Sequence, residues 1–464
     1  MSQPASQVPD SFYIVHEKIH AREVSGRFDR LRKLFVVVLL GIYYLLPFLT
    51  WNGRQAVLFD LPARKFYIFG ITFWPQDFFY LSLILIIAAL TLFFFTALLG
   101  RVWCGYACPQ TVWTEVFVWM ERLTEGKAAR RRKLDRGPWT REKALRKGAK
   151  QFLWISFSLW TGITFVGYFT PIRDLFHGIA SFGLGPWETF WCLFYSAATY
   201  GNAGFLREQV CKYMCPYARF QSAMFDHDTL IVSYDEKRGE PRGGRKRGID
   251  PADAGLGSCV DCNMCVQVCP TGIDIREGLQ YECIACALCV DVCDSVMDKM
   301  DYPRGLIRYS SETAMREGKP LRILRPRVVI YAALLLALVA GFSLSLGQRT
   351  PLRMDSIRDR NSLYREVEPG VIENVYTLKI INLDGVAHRY QLEASGIPGL
   401  TIEVDPAALA LEPGEVRRVP ISMRAAASDI GAGGRDIQLR LEAVGSPDIA
   451  VESATRFLGP VPSR

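Results

Sequence analysis

The chain has 464 residues, 50% of them hydrophobic and 22% charged, so it is too long for one ordinary domain and more than one folded unit is expected. A mean hydropathy of +0.10 is high for so charged a chain, unless apolar residues are concentrated in membrane spans and charges in loops. The net charge of +8 is therefore a topology signal and argues against nucleic acid as a partner.

The N-terminal part of the chain predicts two transmembrane helices. Residues Met1 to Asp10 are polar and contain no apolar core followed by a cleavage site, so no removable signal peptide is predicted. Residues 1–33 end in a basic run and are expected to lie in the cytoplasm. Residues Leu34 to Trp51 and Phe78 to Gly100 are apolar and about long enough to cross a bilayer.

The second apolar run ends at a Cys-Gly-Tyr-Ala-Cys-Pro motif that contains Cys104 and Cys108. A spacing of four residues stacks two side chains on one face of a helix, and Pro109 breaks or kinks the chain that follows. Residues 101–150 are dense in arginine and lysine, so the positive-inside rule predicts that they lie in the cytoplasm.

A second copy of this arrangement follows. Two further spans are predicted, Phe152 to Thr170 and Trp187 to Leu206, and the loop that joins them should face the periplasm. A Cys-Lys-Tyr-Met-Cys-Pro motif with Cys211 and Cys215 comes next and matches the first at both cysteines, the tyrosine and the proline. Residues 34–216 therefore form a four-span domain with an internal repeat that can set two thiol pairs facing each other at the cytoplasmic boundary.

The four repeated cysteines are candidate redox or metal ligands. Soft thiolates select Cu(I) and similar ions, whereas an isolated cysteine in an apolar context is usually a small packing residue. We apply the second interpretation to Cys192, which has no such partner in the sequence. Residues 217–258 are predicted to form a cytoplasmic linker, with a flexible, glycine-rich connector from Asp235 to Gly257.

Residues 259–310 contain two cysteine quartets with the spacing Cys-x2-Cys-x2-Cys-x3-Cys. In bacterial ferredoxins this spacing binds two 4Fe–4S clusters, and each quartet lends its fourth thiol to the other cluster. Disulfides and zinc fit less well, because the segment lies on the reducing side and zinc prefers two separated pairs. Asp294 follows the second quartet where the bacterial pattern has proline. The predicted ligands are Cys259, Cys262, Cys265 and Cys293 for one cluster and Cys283, Cys286, Cys289 and Cys269 for the other.

The C-terminal part is predicted to return to the membrane once and to end in a β domain. Residues 311–347 form a linker and a fifth span from Val328 to Leu346, and an odd number of spans places residues 348–464 in the periplasm. From Asn374 about seven short alternating segments are separated by turn signals, which is typical of an immunoglobulin-like sandwich. The fold class is thus five transmembrane α-helices, a ferredoxin insert and an all-β domain.

The chain resembles the FixG/RdxA/CcoG family of cytochrome oxidase accessory proteins over nearly its full length. The resemblance rests on the order of the spans and domains, the motifs at 104–109 and 211–216, the two quartets, residues Tyr302 to Tyr309, and the immunoglobulin-like C-terminal domain. It implies an iron–sulfur protein of the bacterial inner membrane that reduces Cu(II) to Cu(I) for the maturation of a cbb-type cytochrome oxidase. The expected copper ligands and catalytic residues are Cys104, Cys108, Cys211 and Cys215.

The expected partners are a cytoplasmic electron donor, the copper ion, membrane lipid, and oxidase subunits or a copper ATPase or chaperone; a homodimer is also considered. Two alternatives stay open. The protein could relay electrons from quinol to another redox enzyme, with the Cys-x3-Cys pairs structural or holding another centre. It could also be an oxidase-assembly scaffold whose clusters sense redox state.

Overall fold

A computed structural model describes residues 18–251, 253–359, 362–431 and 433–460. The chain divides into two compact units, Met1–Tyr67 with Pro75–Val339 and Ile68–Trp74 with Ala340–Arg464. The prediction that Met1 to Asp10 contains no signal peptide lies outside the described residues.

Several of the described α-helices begin at a residue that favours a helix start. Helices α4, α8, α9 and α14 begin at a proline, whose fixed φ suits the first helical position. Two π-helical segments, Tyr200–Leu206 and Val210–Met214, continue the chain after α8. In chain order the helices are α1 (Arg27–Leu45), α2 (Phe78–Leu99), α3 (Val102–Tyr106), α4 (Pro109–Glu125), α5 (Ala128–Arg136), α6 (Arg141–Val166), α7 (Ile172–Ala180), α8 (Pro186–Thr199), α9 (Pro216–Met224), α10 (Glu236–Gly239), α11 (Met264–Val268), α12 (Leu288–Met300), α13 (Glu312–Glu317), α14 (Pro326–Gly347) and α15 (Ala427–Ile430).

Most of the described strands lie in the C-terminal part of the chain. They are β1 (Thr50–Trp51), β2 (Arg54–Gln55), β3 (Val57–Asp60), β4 (Lys65–Ile68), β5 (Ile71–Phe73), β6 (Ile231–Tyr234), β7 (Ile307–Ser310), β8 (Leu352–Arg358), β9 (Arg365–Glu368), β10 (Val371–Asn382), β11 (His388–Ser395), β12 (Thr401–Glu403), β13 (Ala410–Leu411), β14 (Val416–Ala426), β15 (Arg435–Ala443) and β16 (Ser446–Phe457).

Three helical segments of the described residues are long and apolar enough to cross a membrane: Arg27–Phe48, Phe78–Leu99 and Pro326–Gly347. Few of their side chains are buried inside the protein, and large apolar side chains such as Leu45 and Leu336 face outward. Contiguous exposed apolar surface of this kind is characteristic of contact with lipid. These segments match the first, second and fifth predicted spans.

The third and fourth predicted spans coincide with α6 and with α8 and its π-helical extension, but they are less apolar or shorter. The first half of α6 is charged, and α8 itself has 14 residues. The two helices pack closely where a Cβ on Gly162 would lie 2.5 Å from the carbonyl oxygen of Cys192. Three candidate spans are therefore present in the described residues, and a count of five stays a prediction.

The ferredoxin segment is closed by strands on either side of it. Strand β6 pairs antiparallel with β7, from Ile231 opposite Ser310 to Tyr234 opposite Ile307. The segment predicted as a flexible connector is tied to this fold, since Arg245 donates hydrogen bonds to the carbonyl oxygen of Gly257 (2.6 Å) and to the hydroxyl of Tyr302 (2.8 Å). Strand β6, which precedes the quartets, thus packs into the same core as the cysteine loops through Val232 and Tyr234.

The C-terminal unit is a sandwich of two antiparallel sheets, as predicted. One sheet has the order β12-β14-β10-β8, with β9 also paired to β10, and the other has the order β13-β11-β15-β16. Alternate residues of facing strands, such as Tyr376 and Leu378 of β10 and Leu439 and Leu441 of β15, are fully buried in one core. The apolar residues of the alternating sequence pattern are thus the ones that face the core between the two sheets.

Candidate metal centres

The structure gathers each predicted set of four cluster ligands around its own cavity. Cys265 lies between them and lines both cavities. Other lining residues are largely apolar, including Ile275, Ile284 and Val296. One cavity is lined by Cys259, Cys262, Cys265 and Cys293, and the other by Cys269, Cys283, Cys286 and Cys289. Each fourth thiol crosses to the opposite triplet, which is the donor set a pair of 4Fe–4S clusters requires.

The backbone around the quartets adopts the same unusual conformation twice. Asp261 and Asn263 flank the second cysteine of the first quartet with φ of 49° and 54°, and Ala285 and Ala287 occupy the same places in the second with 52° and 57°. A left-handed alanine costs about 1–2 kcal/mol, so the loop needs a compensating interaction. The amide of Ala285 points at the Cys283 sulfur at 3.4 Å, as in a loop that wraps a metal-bound thiolate.

Burial sets the charge of these thiols. It raises the pKa of Cys265 to about 11 and those of Cys283 and Cys293 to about 12. Such thiols are protonated at neutral pH unless a cation replaces the proton, and iron supplies that charge when a cluster is bound. The carboxylate of Asp294, at the position of the missing proline, accepts a hydrogen bond from the amide of Gly305 at 2.9 Å and so has a structural partner.

The two quartets differ in access to solvent. Cys262 of the first quartet is exposed, whereas Cys286 of the second is buried. The second quartet is covered by the membrane-domain residues Arg101 and Tyr106, which hydrogen-bond to the carbonyl oxygens of Cys283 (3.3 Å) and Cys286 (3.1 Å). The first quartet therefore has a solvent-exposed cysteine, whereas the membrane domain covers the second.

Both Cys-x3-Cys motifs place their second cysteine at the same turn. Cys108 precedes Pro109 with extended backbone, and Cys215 precedes Pro216 in the same way. A residue before proline is driven out of the helical region, so α3 ends at Tyr106 and Cys108 lies beyond it. The predicted stacking of Cys104 and Cys108 on one helix face therefore does not occur.

The four thiols of the two motifs are neighbours in space. Burial raises the pKa of Cys104 to about 12, with further contributions from Cys108, Cys211 and Cys215. Burial likewise raises the pKa of Cys211 to about 11, helped by Cys108 and Cys215. The Cys104 thiol donates to the Oε1 of the buried Gln221 at 3.3 Å. The repeat thus brings its two thiol pairs to one half-buried site.

No group of three or more His, Cys, Asp or Glu side chains in the described part of the chain is close enough to hold a single metal ion. This holds for the ferredoxin quartets as well, because a four-iron cube keeps its thiol ligands farther apart than one ion does. The four motif thiols therefore do not converge on one ion. They suit an ion held by two thiolates, or a larger centre.

A cavity of about 70 Å³ is lined by Cys211 of the second motif and by residues of the ferredoxin loops. The loop residues are Thr271 and Ile284, and the lining also includes Thr111, which follows the first motif, and Arg207. The cavity is large enough for a small ligand or a few water molecules.

Sequence reasoning missed two residues of this site. Arg101 donates hydrogen bonds to carbonyl oxygens of both the ferredoxin loop (Tyr281, Cys283) and α9 (Ala218), and Gln221 contacts Cys104. The available signals were weak, because an arginine at the end of an apolar run is a common membrane anchor. Cys192 is buried against Val166, Ile172 and Leu175, which agrees with a packing role.

Three family models match the chain. One described as a 4Fe-4S dicluster domain matches residues 206–312, one described as a 4Fe-4S binding domain matches residues 81–135, and one described as the IG-like fold at the C-terminal of FixG matches residues 342–460.

Curated relatives cover most of the chain. Protein RdxB of Cereibacter sphaeroides is 41% identical over 87% of this chain and 87% of its own length. Nitrogen fixation protein FixG of Rhizobium meliloti is 37% identical over 90% and 86%, and Protein RdxA of Cereibacter sphaeroides is 38% identical over 95% and 96%. A crystal structure of a FixG-related protein from Vibrio parahaemolyticus is 32% identical, covers 23% of this chain and 95% of that one, and gives a TM-score of 0.21.

Proposed function

The chain belongs to the family of iron–sulfur proteins that includes FixG, RdxA and RdxB, and from this premise we propose that it is a membrane-bound electron-transfer protein that reduces Cu(II) to Cu(I). The observation that carries the proposal is the meeting of two half-buried thiol pairs with the loop of the second ferredoxin quartet. Arg101 is bonded to that loop and lies near the thiols of Cys104 and Cys215.

The difference in solvent exposure between the two quartets supports an electron path that enters at the first quartet and leaves from the second. When bound, the clusters store and pass single electrons. A cytoplasmic electron-carrier protein can approach the exposed Cys262, and the buried second quartet adjoins the motif thiols. Each Cu(II) ion would take up one electron to become Cu(I); the clusters that the two quartets would hold would supply that electron, and a cytoplasmic donor protein would replace it.

The motif thiols favour the product of this reaction. Thiolate sulfur binds Cu(I) better than the harder Cu(II), so coordination makes the electron transfer more favourable. Because burial raises the pKa of Cys104 and Cys211, each thiol that binds copper releases its proton to solvent. The Cu(I) formed would serve the maturation of a cbb-type oxidase in the inner membrane.

The proposed topology places the ferredoxin in the cytoplasm and the sandwich in the periplasm. The basic segments around α5 and the start of α6 support a cytoplasmic position for residues 101–150. An odd number of spans then carries the chain across the membrane at α14. The sandwich is the proposed contact for oxidase subunits or a copper transporter.

The proposal is tested by replacing Cys211 and Cys215 together with serine. Dithionite-reduced protein is mixed anaerobically with Cu(II), and Cu(I) is measured with a chromogenic chelator. We expect Cu(I) formation to fall by more than about 100-fold, because the direct ligands are lost and even outer-shell changes cost 10–100-fold. The visible absorbance of the clusters should remain.

Cys192→Ser is the matched control, because Cys192 is buried among apolar residues away from the motif thiols. Its Cu(I) yield should equal that of the unmodified protein. An unchanged yield in the Cys211/Cys215 variant would contradict the proposal.

A second candidate is an electron relay in which the four motif thiols hold a third 4Fe–4S cluster. The model described as a 4Fe-4S binding domain covers residues 81–135, where Cys104 and Cys108 are the only cysteines. A cube there would need Cys211 and Cys215 as well. Iron analysis separates the two functions, since copper reduction predicts about eight iron atoms per chain and the relay about twelve.

A further inference from the structure

The two Cys-x-Tyr-x-Cys-Pro motifs differ in sequence and in surroundings. The residue between the first cysteine and the tyrosine is Gly105 in the first motif and Lys212 in the second. Tyr106 of the first motif is 4% exposed, whereas Tyr213 of the second is 59% exposed. The repeat has therefore become asymmetric at these two positions.

Gly105 lets α3 touch the loop of the second quartet backbone to backbone. A Cβ at residue 105 would lie 2.7 Å from the carbonyl oxygen of Ile284 and 3.0 Å from the amide nitrogen and Cα of Cys286. Real Cβ atoms essentially never come closer than 3.0 Å to another heavy atom, so these contacts are too short. The loop cannot easily give way, because Cys283 and Cys286 on either side are cluster ligands. Any side chain at 105 must therefore push α3 away.

Hydrogen bonds hold α3 in this position. The Tyr106 hydroxyl donates to the carbonyl oxygen of Cys286 at 3.1 Å, and Arg101, just before α3, donates to that of Cys283 at 3.3 Å. The Tyr309 hydroxyl bonds the carbonyl oxygen of Ala285 between them. Three successive parts of the ligand loop are thus fixed.

The second motif approaches the loop differently, since its Tyr213 lies near Tyr281. Cys211 lines the cavity described above together with Ile284 of the same loop. In the first motif, by contrast, Cys104 is covalently joined to Gly105, which contacts the backbone of the cluster ligand Cys286. An electron path through Cys286, Gly105 and Cys104 needs one short step through space, and electron transfer slows steeply as such gaps lengthen.

We propose, resting on the proposed copper reduction, that electrons reach the thiol site through the first motif only, and that Gly105 and Tyr106 are the positioning residues that set the distance from the second quartet to Cys104. Cys269, Cys283, Cys286 and Cys289 would hold the cluster that supplies one electron for each Cu(II) reduced to Cu(I). The second motif completes the copper site without carrying the electron.

The test uses Gly105→Ala and Tyr106→Phe in the full chain, with Lys212→Ala and Tyr213→Phe as matched changes in the second motif. Reduced protein is mixed rapidly with Cu(II), and cluster bleaching is followed in a stopped-flow instrument. We expect the two first-motif variants to bleach about tenfold more slowly or worse, the size of a lost supporting contact. The second-motif variants should bleach at the unmodified rate.

Two further readouts separate electron transfer from damage to the site. Ferricyanide, which can oxidise the clusters at the exposed Cys262 side, should bleach all variants equally. Iron content and the Cu(I) bound per chain, measured by chelator competition, should not change. If Gly105→Ala lowers the iron content, its bleaching rate no longer reports electron transfer alone. The bleaching rate of Tyr106→Phe then tests the proposal, because this change removes only a hydroxyl.

Copper reduction and the electron path through the first motif are contradicted by different results. If the unmodified protein is not bleached by Cu(II), the copper function is wrong. If it is bleached and the first-motif variants match their second-motif controls, copper reduction stands and the assignment of the electron path is overturned.

Discussion

Glu121 is a fully buried carboxylate that holds several cations together near the thiol site. Its oxygens lie 2.8 Å from Arg207 and Lys18 and 2.9 Å from Arg131, with Lys150 at 3.8 Å. Burial alone would raise the pKa of Glu121, but Arg207 and Lys18 outweigh it and hold the pKa far below its ordinary value. Arg207 also lines the cavity next to Cys211, so this charge helps to shape the site.

Replacing Glu121 by glutamine should destabilise the protein strongly. The change leaves buried cations without their counter-charge, which typically costs about 3–5 kcal/mol. The measurement is the thermal unfolding midpoint of the detergent-solubilised protein. Glu142→Gln, which breaks exposed pairs with Arg130 and Arg146, is the control and should shift the midpoint little. Equal midpoints for the two variants would contradict this role.

The pH dependence of this contribution follows from the lowered pKa. A carboxylate with a depressed folded-state pKa stabilises the fold above its unfolded pKa and loses that effect only as the pH falls through the folded value. Unfolding midpoints of the unmodified protein and of Glu121→Gln should therefore differ by a constant amount from neutral pH down to about pH 5. Below about pH 4 the difference should shrink, and a difference that stays constant there would show that the pKa of Glu121 is the same in the folded and unfolded states.

At the scale of elements, the first membrane helix is capped by the ferredoxin domain. The carboxylate of Asp291 in α12 accepts hydrogen bonds from the backbone amides of Phe28 (3.2 Å) and Asp29 (2.8 Å) at the start of α1. Gly26 allows this approach, since a Cβ there would lie 2.2 Å from Asp291 Cγ. Phe28 also contacts Tyr309 edge to face. The cap extends α1 seven residues before the predicted start at Leu34.

Asp291→Ala should loosen α1 from the ferredoxin domain. Loss of a helix N-cap costs about 0.5–2 kcal/mol, because amides at the helix start lose their acceptor. The checks are a lower unfolding midpoint and faster proteolysis near residue 26. Asp298→Ala, on the exposed side of α12 with an ion pair to Arg304, is the control. Proteolysis at the control rate would count against the cap.

Local patterns in the sequence predicted the elements but not the contacts between them. The cysteine quartets and the alternating strands are short-range signals, since spacing and period determine them directly. The contacts that join Gly105 to Ile284, or Asp291 to Phe28, link residues far apart in the chain. No spacing or periodicity in the sequence predicts such contacts. The difference between Gly105 and Lys212 was visible in the sequence, but its meaning depends on what α3 packs against.

At the scale of the whole molecule, the number of membrane crossings depends on whether α6 and α8 cross the bilayer. With three spans or with five, a single candidate span, α14, lies between the ferredoxin segment and the sandwich in the chain. The two topologies differ for residues 171–185, which are periplasmic only if α6 and α8 span. The outer faces of these helices expose Phe152, Trp160, Trp187 and Phe194. Large aromatic side chains of this kind favour a lipid environment and hence five spans.

A protease site inserted after Phe182 decides between the two topologies. Phe182 is 97% exposed in the connection between α7 and α8, so an insertion there should disturb little packing. With five spans, protease added outside intact spheroplasts should cut the full chain at this site. The same insertion after Val444, in the β15–β16 turn, should also be cut, and one after Gly137, between α5 and α6, should be cut only after lysis. Protection at 182 together with cleavage at 444 would show that α6 and α8 do not cross, and the motif thiols would then lie on a cytoplasmic domain resting against three spans.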